Sequence, residues 1–266
     1  MCLIVFAWQV IPGLSLLAAA NRDEFYDRPA LPAHWWPDHG DVYAGRDLRG
    51  NGTWLGITRG GRFAALTNVR NPLTQRPNAP SRGALVSDFL TGSDSATDYV
   101  ERLAAHASQF NGFNLLVCDG VELVWYTNAE TDDPRNGMPL PHGIYGLSNA
   151  LLDTPWPKVL RTKAEFASMM CTGAPADAYF DMLSDTTRPS DCRLPHTGVP
   201  IEWERTLSPV FIESPGYGTR CSTVVQLLQD GSAQLTERLA GEPAEDAPVI
   251  QEKIYGALRC VRSPRP

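Results

Sequence analysis

The sequence predicts an α+β fold, a four-layer αββα sandwich in which two antiparallel sheets lie between outer pairs of helices. Three observations predict it. The uncharged residues 1–20 divide at Pro12-Gly13 into two apolar stretches, the pattern of a hairpin buried on both faces. Further strand-like segments come in pairs joined by glycine-containing turns at Arg59-Gly60-Gly61, Asp119-Gly120 and Asp230-Gly231. Helical segments fall between these strands two at a time. The order is therefore strands, a helix pair, strands, a helix pair and strands, and two packed sheets with helices outside bury both faces of such apolar strands.

The N-terminal run resembles an export signal in ending at Ala18-Ala19-Ala20. It has no Lys or Arg ahead of the apolar stretch, however, and Pro12-Gly13 interrupts it, so a hairpin is expected instead. A polar cluster, Asn21-Arg22-Asp23-Glu24, follows the second arm. Residues 28–37, rich in Pro and carrying His34, Trp35 and Trp36, read as a loop. Strands are expected over 53–58 and 62–67, and helices over 82–91 and 94–109, the second capped by Ser93 or Asp94 with Tyr99, Leu103 and His106 on one face. Strands return at 112–118, 121–127 and 143–147. Helices follow at 156–170 and 175–184, the latter opening on Pro175. A loop-rich stretch, 185–216, precedes a last hairpin over 220–229 and 233–239. No segment has linker composition, so residues 1–266 are expected to form one domain.

A hydrophobic share of 43% and a charged share of 20% are those of a globular chain without a membrane span. The net charge of -7 offers no basic field for phosphate backbones, which argues against nucleic acid as a partner. The six cysteines, Cys2, Cys118, Cys171, Cys192, Cys221 and Cys260, include no C-x-x-C pair. Free thiols in a reducing compartment fit best, so a cytoplasmic location is expected. The five histidines have no metal-ligand spacing, and neither a metal nor a cofactor is expected.

Cys2 is the first candidate for chemistry. Removal of Met1 would set its thiol beside a free α-amine, whose reference pKa of about 7.7–8.0 lets it take the thiol proton near neutrality. Hairpin geometry carries Asn21-Arg22-Asp23-Glu24 back towards the chain start. Arg22 could there favour a thiolate, and Asp23 could hold the ammonium or orient Arg22. Other polar groups punctuate strand ends at Thr67-Asn68-Val69-Arg70, Ser148-Asn149 and Tyr217-Gly218-Thr219-Arg220. Asparagine is a neutral donor suited to an oxyanion, and a further Arg could bind a carboxylate or phosphate.

The residues Met1-Cys2, Asn21-Arg22-Asp23-Glu24, Gly45-Arg46-Asp47, Gly52-Thr53-Trp54-Leu55-Gly56, Leu66-Thr67-Asn68-Val69-Arg70, Gly112-Phe113-Asn114-Leu115-Leu116, Gly146-Leu147-Ser148-Asn149, Trp156-Pro157-Lys158 and Tyr217-Gly218-Thr219-Arg220 resemble, in this order, the NRDE family, that of transport and Golgi organisation protein 2. That family is similar to N-terminal-nucleophile hydrolases, above all the cysteine-headed choloylglycine hydrolase and penicillin V acylase branch. The resemblance implies Cys2 as nucleophile and base, Arg22 and Asp23 as its support, Asn68 and Asn149 as oxyanion or positioning donors, and Arg220 as a second electrostatic support. Asn21, Glu24, Arg46, Trp54 and Arg70 become candidates for holding the substrate. Two departures stand out. Arg22 and Asp23 are adjacent where the acylase branch spaces them apart, and Cys221 stands where the family more often has Ser, which puts a second thiol near the site.

Two functions are expected to compete. One is an N-terminal-nucleophile hydrolase of a small-molecule acyl amide or thioester. The other is a non-catalytic carrier of haem or an acyl-coenzyme A, suggested by His34, Trp35 and Trp36 together with Arg22, Arg46 and Arg70.

Overall fold

The computed structural model describes residues 3–240 and 249–254. The first half of the chain forms β1 (Leu3–Ile11), β2 (Leu14–Phe25), β3 (Ala30–Trp35), β4 (Val42–Asp47), β5 (Leu55–Thr58), β6 (Phe63–Asn68), α1 (Gly83–Thr91), α2 (Ala96–Ala104), β7 (Phe113–Cys118) and β8 (Leu123–Thr127). The second half forms β9 (Gly143–Leu147), α3 (Pro157–Thr172), α4 (Ala176–Leu183), α5 (Ile201–Thr206), β10 (Glu213–Ser214), β11 (Tyr217–Leu228), β12 (Ala233–Leu239) and β13 (Val249–Ile254).

The uncharged start folds as the expected hairpin. Strands β1 and β2 pair in antiparallel register from Leu3 opposite Asn21 to Trp8 opposite Leu16, and Gly13 takes the left-handed conformation of the turn with φ +83°. Alternation along the strands sends Ile4, Phe6, Trp8, Leu16, Ala18 and Ala20 into one buried layer. Leu3, Val5, Ala7, Leu17 and Ala19 enter another. Away from the turn neither face meets water, which is why no charged residue interrupts the run.

One sheet has the strand order β13-β12-β11-β2-β1-β9, with β10 added to the start of β11, and the other runs β3-β4-β5-β6-β7-β8; every pairing is antiparallel. The central core lies between the sheets, where Phe6, Leu16 and Leu147 of the first meet Ile57, Phe63 and Trp125 of the second. A second core joins α1 and α2 to the outer face of the second sheet through Leu85, Phe89, Tyr99 and Leu103. A third joins α3 and α4 to the outer face of the first sheet through Phe166, Met170, Tyr179 and Leu183. This is the αββα sandwich that the element order predicts.

The segment read as a Pro-rich loop is instead largely strand. A bulge between Leu31 and His34 takes Pro32, which has no N–H to donate, out of the ladder and allows β3 to pair with β4. The two tryptophans there cover the sheet. Trp36 is buried with its Nε1 donating to the Ala44 carbonyl at 3.1 Å, while Trp35 packs on Tyr43 beneath Arg59. His34 turns its Nδ1 to the Pro32 carbonyl at 2.7 Å. Helix α2 is capped by Ser95, whose Oγ accepts from the Asp98 N–H at 3.0 Å, and Asp94 pairs with Arg102 instead. The stretch read as loop over 185–216 contains α5 and β10.

Gly45 has a packing role. A Cβ there would collide with the outer edge of the Trp54 indole, which lies across the strand. The Gly45→Ala variant is expected to lose about 1–3 kcal/mol through this overpacking, read as a lower urea midpoint at unchanged m value. Among the described residues no helix is long and apolar enough to cross a membrane.

Candidate functional site

Strand β2 lies between β1 and β11 and ends in the polar tetrad, so alternation divides the four side chains between two layers. Asn21 and Asp23 face the helical side. The fully buried Asn21 amide donates to the carbonyls of Leu183 at 2.8 Å and Val210 at 3.0 Å, and its Oδ1 accepts from Ser222 Oγ at 2.6 Å. Asn21 thus ties the 183–210 connection to the sheet, a structural position and not one open to a substrate. Asp23 Oδ1 accepts from Thr219 Oγ1 at 2.7 Å, and Thr219 Oγ1 in turn accepts from the Ile212 N–H at 2.9 Å.

Arg22 and Glu24 face the gap between the sheets. The Arg22 guanidinium is only 4% exposed and lies 4.2 Å above the Trp54 ring. Its Nη2 reaches Asp47 Oδ2 at 3.3 Å, and its Nε and Nη1 make no hydrogen bond among the described residues. Asp47 is the hub of this region. It accepts from Arg28 Nε at 2.6 Å and Arg28 Nη2 at 3.2 Å, and its Oδ1 also accepts the backbone N–H groups of Arg49 at 3.1 Å and Gly50 at 2.7 Å. Burial pushes the Asp47 carboxyl up, but the hydrogen bonds from Arg28 and Gly50 and the positive charges outweigh it and hold the group below its usual range. Around these groups opens a cavity of about 490 Å³, bounded also by Glu24, Asn68 and the segment from Pro77 to Gly83.

Asn68 and Asn149 do come together. Asn149 Nδ2 donates to the Asn68 carbonyl at 3.0 Å, and the Arg70 N–H donates to the Asn149 carbonyl at 2.7 Å. These bonds fasten the end of β6 to the residues just after β9, one from each sheet. The Asn68 amide lines the cavity and makes no hydrogen bond among the described residues. Arg70 is turned away, with Nη1 on Glu204 Oε2 at 2.8 Å, Nη2 on Asn149 Oδ1 at 3.3 Å and its guanidinium 5.0 Å from the Trp156 ring centre. It lines a separate groove of about 500 Å³ with Trp156, Arg193 and His196.

Two other arginines stand apart. Arg46 lies on the opposite face of β4 from Asp47, stacked on Trp36 and paired with Asp38 at 2.6 Å, so it does not share the cavity. Arg220 donates from Nη1 to the carbonyls of Phe25 at 2.8 Å and Arg28 at 3.1 Å. It therefore clips the turn that carries Arg28. Arg28, Asp47 and Glu204 were not among the candidates expected from the sequence. For Asp47 the signal was available: alternation over residues 42–47, read as a strand, puts Tyr43, Gly45 and Asp47 on the inner face.

Cys221 lies on the inner face opposite Arg22, next to a buried carboxylate, Glu237. Glu237 Oε1 accepts the Ala33 N–H at 2.8 Å, the donor that the β3 bulge frees, and its Oε2 accepts from Thr223 Oγ1 at 3.4 Å. Burial, then the neighbouring Glu237 carboxylate, raises the Cys221 thiol well above its usual value, so it is not a thiolate near neutrality. Burial also raises Glu237, against the hydrogen bonds from Ala33, Cys221 and Thr223. A carboxyl raised in the folded state binds more protons there than in the unfolded chain, so its contribution to stability is present below the unfolded value of 4.5 and is lost as pH rises through the folded value. The Glu237→Gln variant should gain stability relative to the parent as pH rises above 4.5, measured by urea unfolding across pH. A constant difference would count against this assignment.

Cys2, the nucleophile expected from the sequence, lies outside the described residues, as does Cys260. Among the described residues no group of three or more His, Cys, Asp and Glu side chains could hold a metal ion.

Known proteins are similar to this chain over most of its length. A solved Caenorhabditis elegans N-acylethanolamine-hydrolyzing acid amidase ortholog is similar at 13% identity and a TM-score of 0.46, covering 84% of this chain and 92% of that one. The Bos taurus Transport and Golgi organization protein 2 homolog is 36% identical over 259 residues, which is 90% of this chain and 92% of the relative. The Homo sapiens homolog is 34% identical over the same shares, and the Drosophila melanogaster protein is 31% identical over 85% of this chain and 87% of its own. The sequence profile described as Transport and Golgi organisation 2 matches residues 1–241, which include every strand of both sheets except β13. With the tetrad and the strands on either side of it inside that match, this chain belongs to the Transport and Golgi organisation 2 family.

Proposed function

We propose that the protein is an N-terminal-nucleophile hydrolase that cleaves a non-peptide amide or a thioester with Cys2. The observation that carries this reading is the placement of Arg22. Leu3 pairs with Asn21, and Cys2 is joined to Leu3 by one peptide bond, which holds their Cα atoms about 3.8 Å apart. The described chain thus begins one pairing short of Arg22, the next residue of β2, whose guanidinium is buried over Trp54. A fixed positive charge there favours a thiolate, and an α-amine freed by loss of Met1 serves as base.

In this mechanism the Cys2 sulfur attacks the acyl carbon, and the α-amine takes the thiol proton and passes it to the leaving amine or thiol. A water activated by the same amine then releases the acyl group. Asn68, with an amide open to the cavity, supplies the donor for the oxyanion. Asn149 positions Asn68 through its carbonyl, and Arg220 acts indirectly by holding the turn of Arg28.

A second reading, a carrier that binds an acyl compound without turnover, is favoured by one specific observation. Asn149 Nδ2 and Arg220 Nη1 already donate to backbone carbonyls, and neither residue lines the cavity, which leaves few groups for an oxyanion. Intact-mass analysis before and after a thiol-directed acylating probe separates the two. Loss of Met1 and a single acyl adduct on Cys2 support the hydrolase; retained Met1 with an unreactive Cys2 would sink it.

A further inference from the structure

Nearly every arginine of this protein has a partner. Among the described residues, Arg188 and Arg193 are the only arginines whose side chains make no ion pair, hydrogen bond or ring contact. Both are exposed, and both line the same stretch of surface. The groove of about 500 Å³ beside Trp156 and a second of about 440 Å³ along α3 share Pro157 and Arg193, so the two run on from each other as one trough. Arg188 stands in the second part and Arg193 where the two meet.

The rest of the trough is apolar and stiff. Pro155, Trp156, Pro157 and Leu160 line it at the start of α3, and Pro189 and Pro195 add to it from the 187–197 segment. Leu160 is left 48% exposed on its helix. Proline has no side-chain rotamers to lose, so covering these residues costs little entropy. The segment that carries the arginines is pinned as well. Leu194 is buried, Glu204 holds the Thr197 N–H at 2.8 Å and hydroxyl at 2.7 Å, and Arg161 ties the other end through Asp185 at 2.7 Å and the Thr187 carbonyl at 3.1 Å. Few opposing charges remain: Glu130 is the one carboxylate among the described lining residues, and the nearby Asp185 and Asp191 are paired with Arg161 and Arg205.

We infer that this trough is a docking site for an extended acidic segment of a partner protein, whose carboxylates pair with Arg188 and Arg193 while an apolar side chain packs on Trp156 and Leu160. Two unpaired guanidinium forks match carboxylates, and arginine beside an aromatic ring is the composition enriched where proteins meet. The net charge of -7 confines the attraction to this place. A long polyanion such as nucleic acid would be repelled by the surrounding surface, whereas a short acidic segment meets chiefly the two arginines. Binding here needs no chemistry at Cys2, so it goes beyond the proposed hydrolase activity and stands or falls separately from it.

The test is fluorescence anisotropy of the full chain at low salt with a labelled peptide that alternates Glu and Pro around a central Leu. Saturable binding is expected, and none of the same peptide with Lys in place of Glu. Arg188→Gln and Arg193→Gln should each weaken it about tenfold, the effect of losing one charge-assisted hydrogen bond. Neither arginine side chain holds another residue, so both variants keep the fold. Leu160→Ser should weaken binding severalfold, which a diffuse charge attraction would not produce. Arg102→Gln, an exposed arginine on α2, should leave it unchanged. No saturable binding of the acidic peptide, equal binding of the lysine peptide, tighter binding of a labelled oligothymidylate, or an affinity that neither Arg188→Gln nor Arg193→Gln moves overturns the inference.

Discussion

Replacing Asp47 by Ala is expected to lower folding stability by about 3–5 kcal/mol, the usual effect of breaking a buried ion pair by removing one partner. The size follows from what would be left. Arg22 would keep a guanidinium almost wholly buried over Trp54 with its hydrogen-bonded counter-charge gone, and Arg28 and two backbone N–H groups would lose their acceptor. Asp47→Asn is a milder change, since its Oδ1 can still accept from Arg49 and Gly50, and it should cost about 1–3 kcal/mol. Urea unfolding measures both. The pH dependence gives an independent reading: a carboxyl lowered in the folded state contributes stability above its unfolded value of 3.8, and the contribution is lost as pH falls through the folded value. The Asn variant should therefore lose less stability than the parent on acidification below pH 3.8. Equal losses would show that Asp47 is not the ionised hub described above.

Glu204→Ala is expected to cost a similar amount, about 3–5 kcal/mol. Glu204 is 2% exposed on α5 and holds three groups at once: the N–H of Thr197 at 2.8 Å, the hydroxyl of Thr197 at 2.7 Å and Arg70 Nη1 at 2.8 Å. Through Arg70 and Asn149 it also fixes the Asn68 backbone at the cavity edge. Exchanging both charges, Glu204→Met with Arg70→Met, should recover much of the loss, because no charge is then buried alone. A double-mutant cycle with a coupling near zero would exclude the pair as the source of the effect.

The fold was legible where one residue's neighbours decide its structure. Residues 1–20 could be read as a hairpin because an uncharged run broken by Pro12-Gly13 has few other ways to bury itself. Strand β3 was missed because a Pro-rich segment argues for a loop until a bulge is known to shelter Pro32, and β4 was not picked out because its pairing partner was hidden with it. Helix α5 has six residues, too few for a helical period to emerge from its surroundings. At the site, the tetrad was legible because it is contiguous. Its partners were not: Asp47 lies 25 residues from Arg22, and Glu204 lies 134 from Arg70, separations at which only the assembled sheets choose the pairing. Arg46 drew attention ahead of Asp47 because a charge counts in a sequence, whereas the face it occupies is fixed by the strand.

The division of the tetrad between two layers also sets how the gene for this fold can change. Strand β2 behaves as a ruler with its turn at one end and its polar tetrad at the other, so removing a single residue between Leu14 and Ala20 would exchange the two sets of side chains. Asn21 and Asp23 would swing into the sheet gap, and Arg22 would meet the apolar helices. Point substitutions along the strand can be absorbed by repacking, but a one-codon deletion there rewrites both cores together.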